Sequence, residues 1–395
     1  MRGRILPIRP LGVLGATALI LVCLFSFPSG EADAASSYID FDRHDSRSQL
    51  ASGVEKGVVI EKGAVKLSKG KKSGTLTSKV YSSATTFDTL LPSWNAVTPK
   101  GTYMRTEVRV RSGSGWTRWW NMGLWASGTD TVRRQSLDGQ RYGSWRVATD
   151  TLTSGGSAFA NAYQYRITLS TKKVRRSPKV DSLAFTASDS RRHGEFLGVT
   201  GGKYLGRDLP VPQRSQMIYP NGGQVWCSPT SLSMVMAYWA NKTGKSRLNQ
   251  SVPTVARGTY DYEYGGNGNW PFNTAYASSY GLKTSVNRFS SLGQVERWVA
   301  NGVPVVASIS WGKGQLNGAP IPSSTGHLMV IRGFDKTGRY VIVNDPAASS
   351  NSGVRRVYDR QQFANAWMRG SGGVTYIIHP KGWNVPSRTD ARGSW

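Results

Sequence analysis

Alternation of apolar and polar side chains dominates the first half of the chain, from about residue 38 to residue 188. Segments 104–110 and 163–169 follow it most strictly. A period of two is typical of a strand with one buried face, and no helical period occurs between these segments. Further strand candidates are 57–60, 64–67, 74–80, 144–148 and 180–186. Many short strands separated by Gly, Ser, Asp and Lys clusters predict an all-β antiparallel sandwich at residues 36–190, each strand burying one face.

Six of the fourteen tryptophans of the chain fall in the same half. They are Trp94, Trp116, Trp119, Trp120, Trp125 and Trp145. Large aromatic side chains usually fill a core, which is the first interpretation. The alternative is a face that binds a sugar or polymer, because aromatic rings stack on sugar faces while neighbouring Arg and Lys side chains hold anionic groups. The sequence leaves both interpretations open.

The first 34 residues have the pattern of an export signal. Three arginines precede an apolar run from Leu11 to Phe27, and Ala32-Asp33-Ala34 offers a cleavage site. An uncleaved membrane anchor is the alternative, since the run is near the length of a membrane span. We predict a signal peptide at residues 1–34 and a secreted, extracellular protein without stable membrane insertion after signal removal. Association with the cell wall is left open.

Signal removal leaves Cys227 as the only cysteine, since the other of the two is Cys23. A lone thiol in an exported protein is a buried bystander, half of an intermolecular bridge, or a reactive group. The chain has a formal net charge of +27, which favours polyanionic surroundings such as cell-wall polymers or anionic lipid headgroups. No nucleic-acid-binding motif accompanies the charge, so nucleic acid is not expected as a partner.

Cys227 precedes an apolar run with the period of a helix. Apolar residues recur at helical spacing between positions 232 and 239. Ser228 and Pro229 suit an N-cap and a first helical position, and Gly244 suits the end of the helix. A thiol at a helix N-terminus lies near unpaired backbone N–H groups, which favour the nucleophilic thiolate. The position therefore predicts a nucleophile.

Residues 205–385 predict an α+β domain, separated from the first by a polar linker at 189–209. Helices are expected at 270–277 and 292–301, and strands at 303–309, 326–334 and 339–346. If Phe334 and Arg339 pair across the last turn, position 346 faces His327 and Asp345 is its neighbour. Such an imidazole and carboxylate can touch, as in a nucleophile–base–acid arrangement. The predicted catalytic residues are Cys227, His327 and Asp345.

Acyl transfer to a cysteine also needs donors for the oxyanion, normally the backbone N–H of the nucleophile and an upstream side-chain amide. Gln216 and Gln224 are both candidates for that amide. The remaining histidines, His44, His193 and His379, have no acid placed beside them by a hairpin. No Cys/His cluster has metal-ligand spacing, so neither a metal nor another cofactor is expected.

With these residues in view, the second half resembles papain-fold cysteine peptidases related to the bacteriocin-processing, double-glycine leader peptidases, as a secreted standalone member. The resemblance covers about residues 205–380. It rests on Val211-Pro212, Ser215-Gln216, Cys227 opening an apolar helix, Gly326-His327 and Asn344-Asp345-Pro346. It implies the roles of nucleophile, base and orienting acid for Cys227, His327 and Asp345, and maps the family's upstream glutamine onto Gln216. Ser228 stands where many members have glycine.

The expected function is therefore hydrolysis of peptide bonds by a secreted cysteine peptidase through an acyl-enzyme. Peptides or proteins are the expected substrates, and an anionic cell-wall polymer is a further candidate partner. The first alternative is a peptidoglycan amidase or endopeptidase, which would use the same thiol and imidazole. The second is a catalytically silent protein that binds the cell surface.

Overall fold

The computed structural model describes residues 38–193 and 204–387, which lie within one compact unit. The predicted signal peptide lies outside the described residues. Within the described part of the chain, no helix is both long and apolar enough to cross a membrane.

The N-terminal region is mostly β, as predicted. Its elements are β1 (Ile39–His44), α1 (Arg47–Leu50), β2 (Val54–Lys56), β3 (Val58–Glu61), β4 (Ala64–Leu67), β5 (Ser73–Thr77), β6 (Tyr81–Phe87), β7 (Thr89–Val97), β8 (Thr102–Ser112), β9 (Gly115–Trp116), β10 (Trp120–Trp125), β11 (Arg141–Tyr142), β12 (Trp145–Ala148), β13 (Thr151–Thr153), β14 (Ala160–Thr171) and β15 (Lys179–Ser188). They form two antiparallel sheets. One has the order β11-β12-β13-β7-β15-β4-β3 with β1 beside β15, and the other β10-β8-β14-β5-β2 with β6 beside β14 and β9 beside β8.

Aromatic side chains of the two sheets contact each other in a shared core. The ring of Tyr165 on β14 stacks on that of Phe185 on β15, with centroids 4.9 Å apart. Four of the six tryptophans are buried, which favours the core interpretation for them: Trp94, Trp120, Trp125 and Trp145. Trp116 and Trp119 are only partly buried.

Strands β7 and β15 bury both faces, so the prediction of one buried face per strand is wrong for them. Their second face packs on the C-terminal region. Phe272 lies 6.1 Å from Trp94 and 5.4 Å from Trp125, measured between ring centroids. The Asn95 amide donates to the Thr284 carbonyl at 2.7 Å and accepts from the Thr284 N–H at 2.9 Å. The two regions thus share apolar packing and hydrogen bonds between a side chain of one region and the backbone of the other.

The C-terminal region is α+β, as predicted. Its elements are β16 (Arg207–Asp208), α2 (Cys227–Thr243), α3 (Val252–Thr259), α4 (Trp270–Ser279), β17 (Leu282–Arg288), α5 (Leu292–Ala300), β18 (Val305–Trp311), β19 (Ser324–Phe334), β20 (Tyr340–Asn344), β21 (Arg355–Asp359), α6 (Arg360–Ser371) and β22 (Val374–Pro380). The sheet is antiparallel with the order β17-β22-β18-β19-β20-β21, and β16 lies beside β19. The expected linker therefore ends in a strand of this sheet.

Helix α2 carries the lone cysteine into the centre of the region. It is buried along most of its length, and Ser231 and Trp239 hydrogen-bond to carbonyls of the sheet. Gly244 ends it with a φ of 69°, as predicted for a C-terminal glycine. The predicted N-cap is wrong, because Trp226 occupies that position. The Ser228 hydroxyl lies 2.9 Å from the Tyr376 hydroxyl instead.

Candidate active site

Cys227 is the first residue of α2 and is partly buried. Burial alone would raise the pKa of its thiol. A hydrogen bond to His327, the charge of that imidazole and the backbone N–H groups of Leu328 and Ser228 outweigh burial and lower the pKa below its usual value. The structure therefore brings thiol and imidazole together and favours the thiolate.

His327 on β19 contacts Asp345 just beyond the end of β20. Its Nε2 lies 2.8 Å from Asp345 Oδ1, and both side chains are buried. Burial disfavours a charged imidazole, but the Asp345 carboxylate and the Cys227 thiol raise the pKa of His327 to about 10. The pair therefore favours an imidazolium beside a thiolate. Trp311 packs edge-on against the imidazole, with ring centroids 5.6 Å apart.

The register of this hairpin differs from the prediction. Val330 pairs with Asn344, whereas Phe334 pairs with Val341 rather than Arg339. The cause is a β-bulge at Arg332 and a turn in which the Asp335 carboxylate accepts the Tyr340 N–H at 2.8 Å. Continuing the Val330 register places His327 opposite position 347 instead of 346. The shift of one residue leaves the Asp345 carboxylate within reach.

Tyr358 on β21 is a member of the site that sequence reasoning missed. Its hydroxyl donates to Asp345 Oδ2 at 2.7 Å, while the Ala347 N–H donates to Oδ1 at 2.9 Å. Burial alone would raise the pKa of Asp345, but the charge of His327 and these hydrogen bonds keep it below its usual value. The only signal in the sequence was a tyrosine on a strand that follows the acid closely.

The two glutamine candidates occupy different environments. Gln216 is buried, and its Nε2 donates to the backbone carbonyl of Gln224 at 3.1 Å. That carbonyl lies three residues before Cys227, so the amide is held beside the start of α2. The structure therefore holds the Gln216 amide in place through the main chain of Gln224, and it leaves the Gln224 side chain exposed.

These residues open into a cavity of about 980 Å³. The C-terminal region contributes Gln216, Cys227, His327 and the glycine-rich loop 264–268. The N-terminal region supplies the facing wall, mainly from the turn 148–151, where Thr149 has a φ of +54°. That participation of the first region was not predicted, because it depends on how the two regions pack.

The other histidines are held neutral by burial. It lowers the pKa of His44 and of His379 to about 4, and that of His193 to about 3. Within residues 38–193 and 204–387, no group of three or more His, Cys, Asp or Glu side chains could hold a metal ion.

Together the fold and the site define an α+β domain in which a cysteine at a helix start faces a histidine–aspartate pair on a sheet. Residues 208–373 match the Peptidase_C39 like family, and residues 31–188 match the Peptidase C39 N-terminal domain. Between them the two matches cover most of the chain and confirm the resemblance to C39-related peptidases seen in the sequence. The match to the C39-like family suggests cysteine peptidase activity.

One solved structure, described as that of a C39-like peptidase from Bacillus anthracis, is 19% identical to this chain. The match covers 45% of this chain and 99% of that one, with a TM-score of 0.30. A similarity this low supports no conclusion about the fold or function of this chain. No curated protein matches the chain.

Proposed function

We propose that this chain is a secreted cysteine peptidase that hydrolyses peptide bonds through a Cys227–His327–Asp345 triad. In this proposal the C-terminal region has a papain-like arrangement, and the two N-terminal sheets form a β-sandwich. The observation that carries the proposal is the buried His327–Asp345 pair, joined at 2.8 Å, beside a thiol whose pKa it lowers.

The proposed reaction begins with the Cys227 thiolate attacking the carbonyl carbon of a peptide bond. The Cys227 N–H and Gln216 Nε2 donate to the resulting oxyanion. His327 gives its proton to the leaving amine as the C–N bond breaks, which leaves a thioester on Cys227. The neutral imidazole then takes a proton from water, whose oxygen attacks the thioester. Release of the carboxylic acid product regenerates the thiolate and the imidazolium.

Asp345 is assigned the role of holding His327. Because its Oδ1 contacts Nε2, the other ring nitrogen, Nδ1, is left to face the thiol. Tyr358 and the Ala347 N–H fix the carboxylate in turn. Gln216 Oε1 is buried and has no hydrogen-bond partner among the described residues, so the amide is anchored chiefly through its nitrogen.

The test is peptide hydrolysis by the reduced protein, using a mixture of peptides derived from proteins and from cell wall. Cys227→Ala should abolish cleavage, and alkylation of the thiol should do the same, whereas Gln224→Ala serves as a control beside the same loop. Cleavage that persists in Cys227→Ala would refute the mechanism. Loss of turbidity from wall suspensions, without cleavage of protein-derived peptides, would identify a peptidoglycan amidase or endopeptidase instead.

We further propose that the N-terminal region binds an anionic wall polymer. Support comes from arginine side chains of its second sheet that stack on tryptophans of β9 and of the loop before β10. The Arg109 guanidinium lies 4.8 Å from the ring centroids of Trp116 and Trp119, and that of Arg166 lies 4.6 Å from Trp119. These partly buried rings and cations suit a polymer of sugars bearing anionic groups.

The binding test requires the whole mature chain, because β7 and β15 bury one face against the C-terminal region. Retention on purified cell wall should fall in Trp119→Ala, measured in the Cys227→Ala background so that no substrate is consumed. Tyr262→Ala, at another exposed aromatic side chain, is the control. Equal retention of both variants would contradict a binding role for this face.

A further inference from the structure

Arg288, the last residue of β17, lines the same cavity as Cys227 and is 4% exposed. Its Nη1 donates to the carbonyls of Ser371 and Gly372 at the C-terminal end of α6. Its Nε is buried without a hydrogen-bond partner. In the described part of the chain, Nη2 makes no hydrogen bond and the guanidinium forms no ion pair. One side of this buried cation is therefore anchored and the other is available to a ligand.

A buried guanidinium without a carboxylate is costly, since two carbonyls replace only part of the water that it loses. The two carboxylates whose charges act on this guanidinium, those of Asp150 and Asp88, make their hydrogen bonds to other groups. Asp88 accepts hydrogen bonds from the backbone N–H and the hydroxyl of Ser190, and Asp150 accepts the Trp270 N–H at 2.8 Å. A carboxylate entering the cavity would match the geometry of the guanidinium fork.

The sheet gives the separation of the two strands that carry Arg288 and His327, whose side chains both line the cavity. One row of paired residues crosses four strands: Asn287, Thr375, Ala307 and Met329. Arg288 follows the first of these, and His327 lies two positions before the last. Three strand spacings correspond to about 14 Å between the strands that carry Arg288 and His327. An extended peptide covers that span with about three to five residues.

We propose that Arg288 binds a carboxylate of the peptide substrate about three to five residues from the scissile bond. This inference rests on the proposed peptidase function and assigns it a substrate class. The N-terminal region closes the same end of the cleft. His193 and Arg288 both lie against Gly372, and Thr89 and Ser190 line the cavity. The net charge of +27 would attract such anionic peptides to the protein.

The first test uses the wild-type protein and pairs of peptides that differ only in a carboxylate. Asp and Asn, or Glu and Gln, are exchanged at each position on both sides of the cleaved bond. A second series compares a free C-terminal carboxylate with its amide, which separates an acidic side chain from a chain end. We expect the carboxylate to raise kcat/KM by about 10- to 100-fold at one distance, mainly through KM. Equal kcat/KM for both members of every pair would overturn the proposal.

The second test asks whether Arg288 is the residue responsible. In Arg288→Gln the ratio of kcat/KM between carboxylate and amide peptides should fall to about one, and Arg288→Lys should restore part of it. Thermal unfolding checks that the end of α6 is intact in both variants. A ratio that survives in Arg288→Gln would overturn the assignment. Hydrolysis that persists in Cys227→Ala, by contrast, would refute the cysteine mechanism on which the proposed function rests.

Discussion

Replacing Asp345 with asparagine removes the charge that keeps His327 protonated and preserves the size of the side chain. Asp345 is fully buried, so bulk solvent screens its 2.8 Å contact with the imidazole only weakly. Burial works against a charged His327, and the carboxylate and thiol together raise its pKa to about 10. Without the carboxylate only the thiol opposes burial, so we expect this pKa to fall toward the ordinary value of about 6.5, a change of several kcal/mol at about 1.4 kcal/mol per pH unit.

The fall in pKa predicts a large loss of activity at alkaline pH. A group with a pKa of about 6.5 is only about 3% protonated at pH 8, so loss of the ion pair alone should lower kcat/KM about 30-fold there. The assay is kcat/KM from about pH 5 to about pH 10. The alkaline limb should move from near pH 10 in the wild type to below about pH 7 in Asp345→Asn.

The control for this experiment is Asp130→Asn, which removes a surface charge whose carboxylate is 61% exposed. Its pH profile should coincide with that of the wild type. A wild-type alkaline limb in Asp345→Asn would refute the role given to the carboxylate, since His327 would then keep its proton without it.

Three further predictions concern the neighbours of the triad and the contact between regions. Gln216→Ala should lower kcat by about 100-fold or more in steady-state kinetics, and Gln224→Ala should not; equal losses would contradict the oxyanion assignment. Tyr358→Phe, which removes the 2.7 Å donor to Asp345, should lower kcat/KM only a few-fold because the His327–Asp345 contact remains. Phe272→Ala should destabilise the protein by about 3–5 kcal/mol and lower one shared thermal transition, whereas two separate transitions in calorimetry would contradict coupled regions.

The contact between His327 and Asp345, and the place of Cys227 at a helix start, could be predicted because each depends on local patterns. An apolar helical period places the thiol at a helix start, and two apolar strands around a short turn place the imidazole near the acid. Turn length and the apolar pattern limit the slippage of a hairpin, so even a register wrong by one residue kept the pair together.

Features that depend on distant contacts could not be predicted. The bulge at Arg332 adjusts the hairpin to neighbours that include Asp208, which the sequence places in the linker. Ser228 has a side chain that suits an N-cap, but its hydroxyl contacts the hydroxyl of Tyr376 on β22 instead.

The part that the N-terminal region plays in the wall of the cleft also depends on distant contacts and could not be predicted. Strands that bury two faces carry no clear alternation, and β7 was not among the predicted strands. The second face of β7 is buried only because the C-terminal region packs against it. The packing of two regions, rather than any local motif, therefore places residues of the first half in the cleft.

The most direct measurement of the central claim is the pH titration of the Cys227 thiolate, followed by its ultraviolet absorbance, in the wild type and in His327→Ala. Because Cys227 is the only cysteine left once the predicted signal peptide is removed, the thiolate absorbance has a single source. We predict a pKa below the usual thiol value in the wild type and above it in His327→Ala, where burial is no longer opposed by the imidazole. Identical titrations in the two proteins would contradict the account.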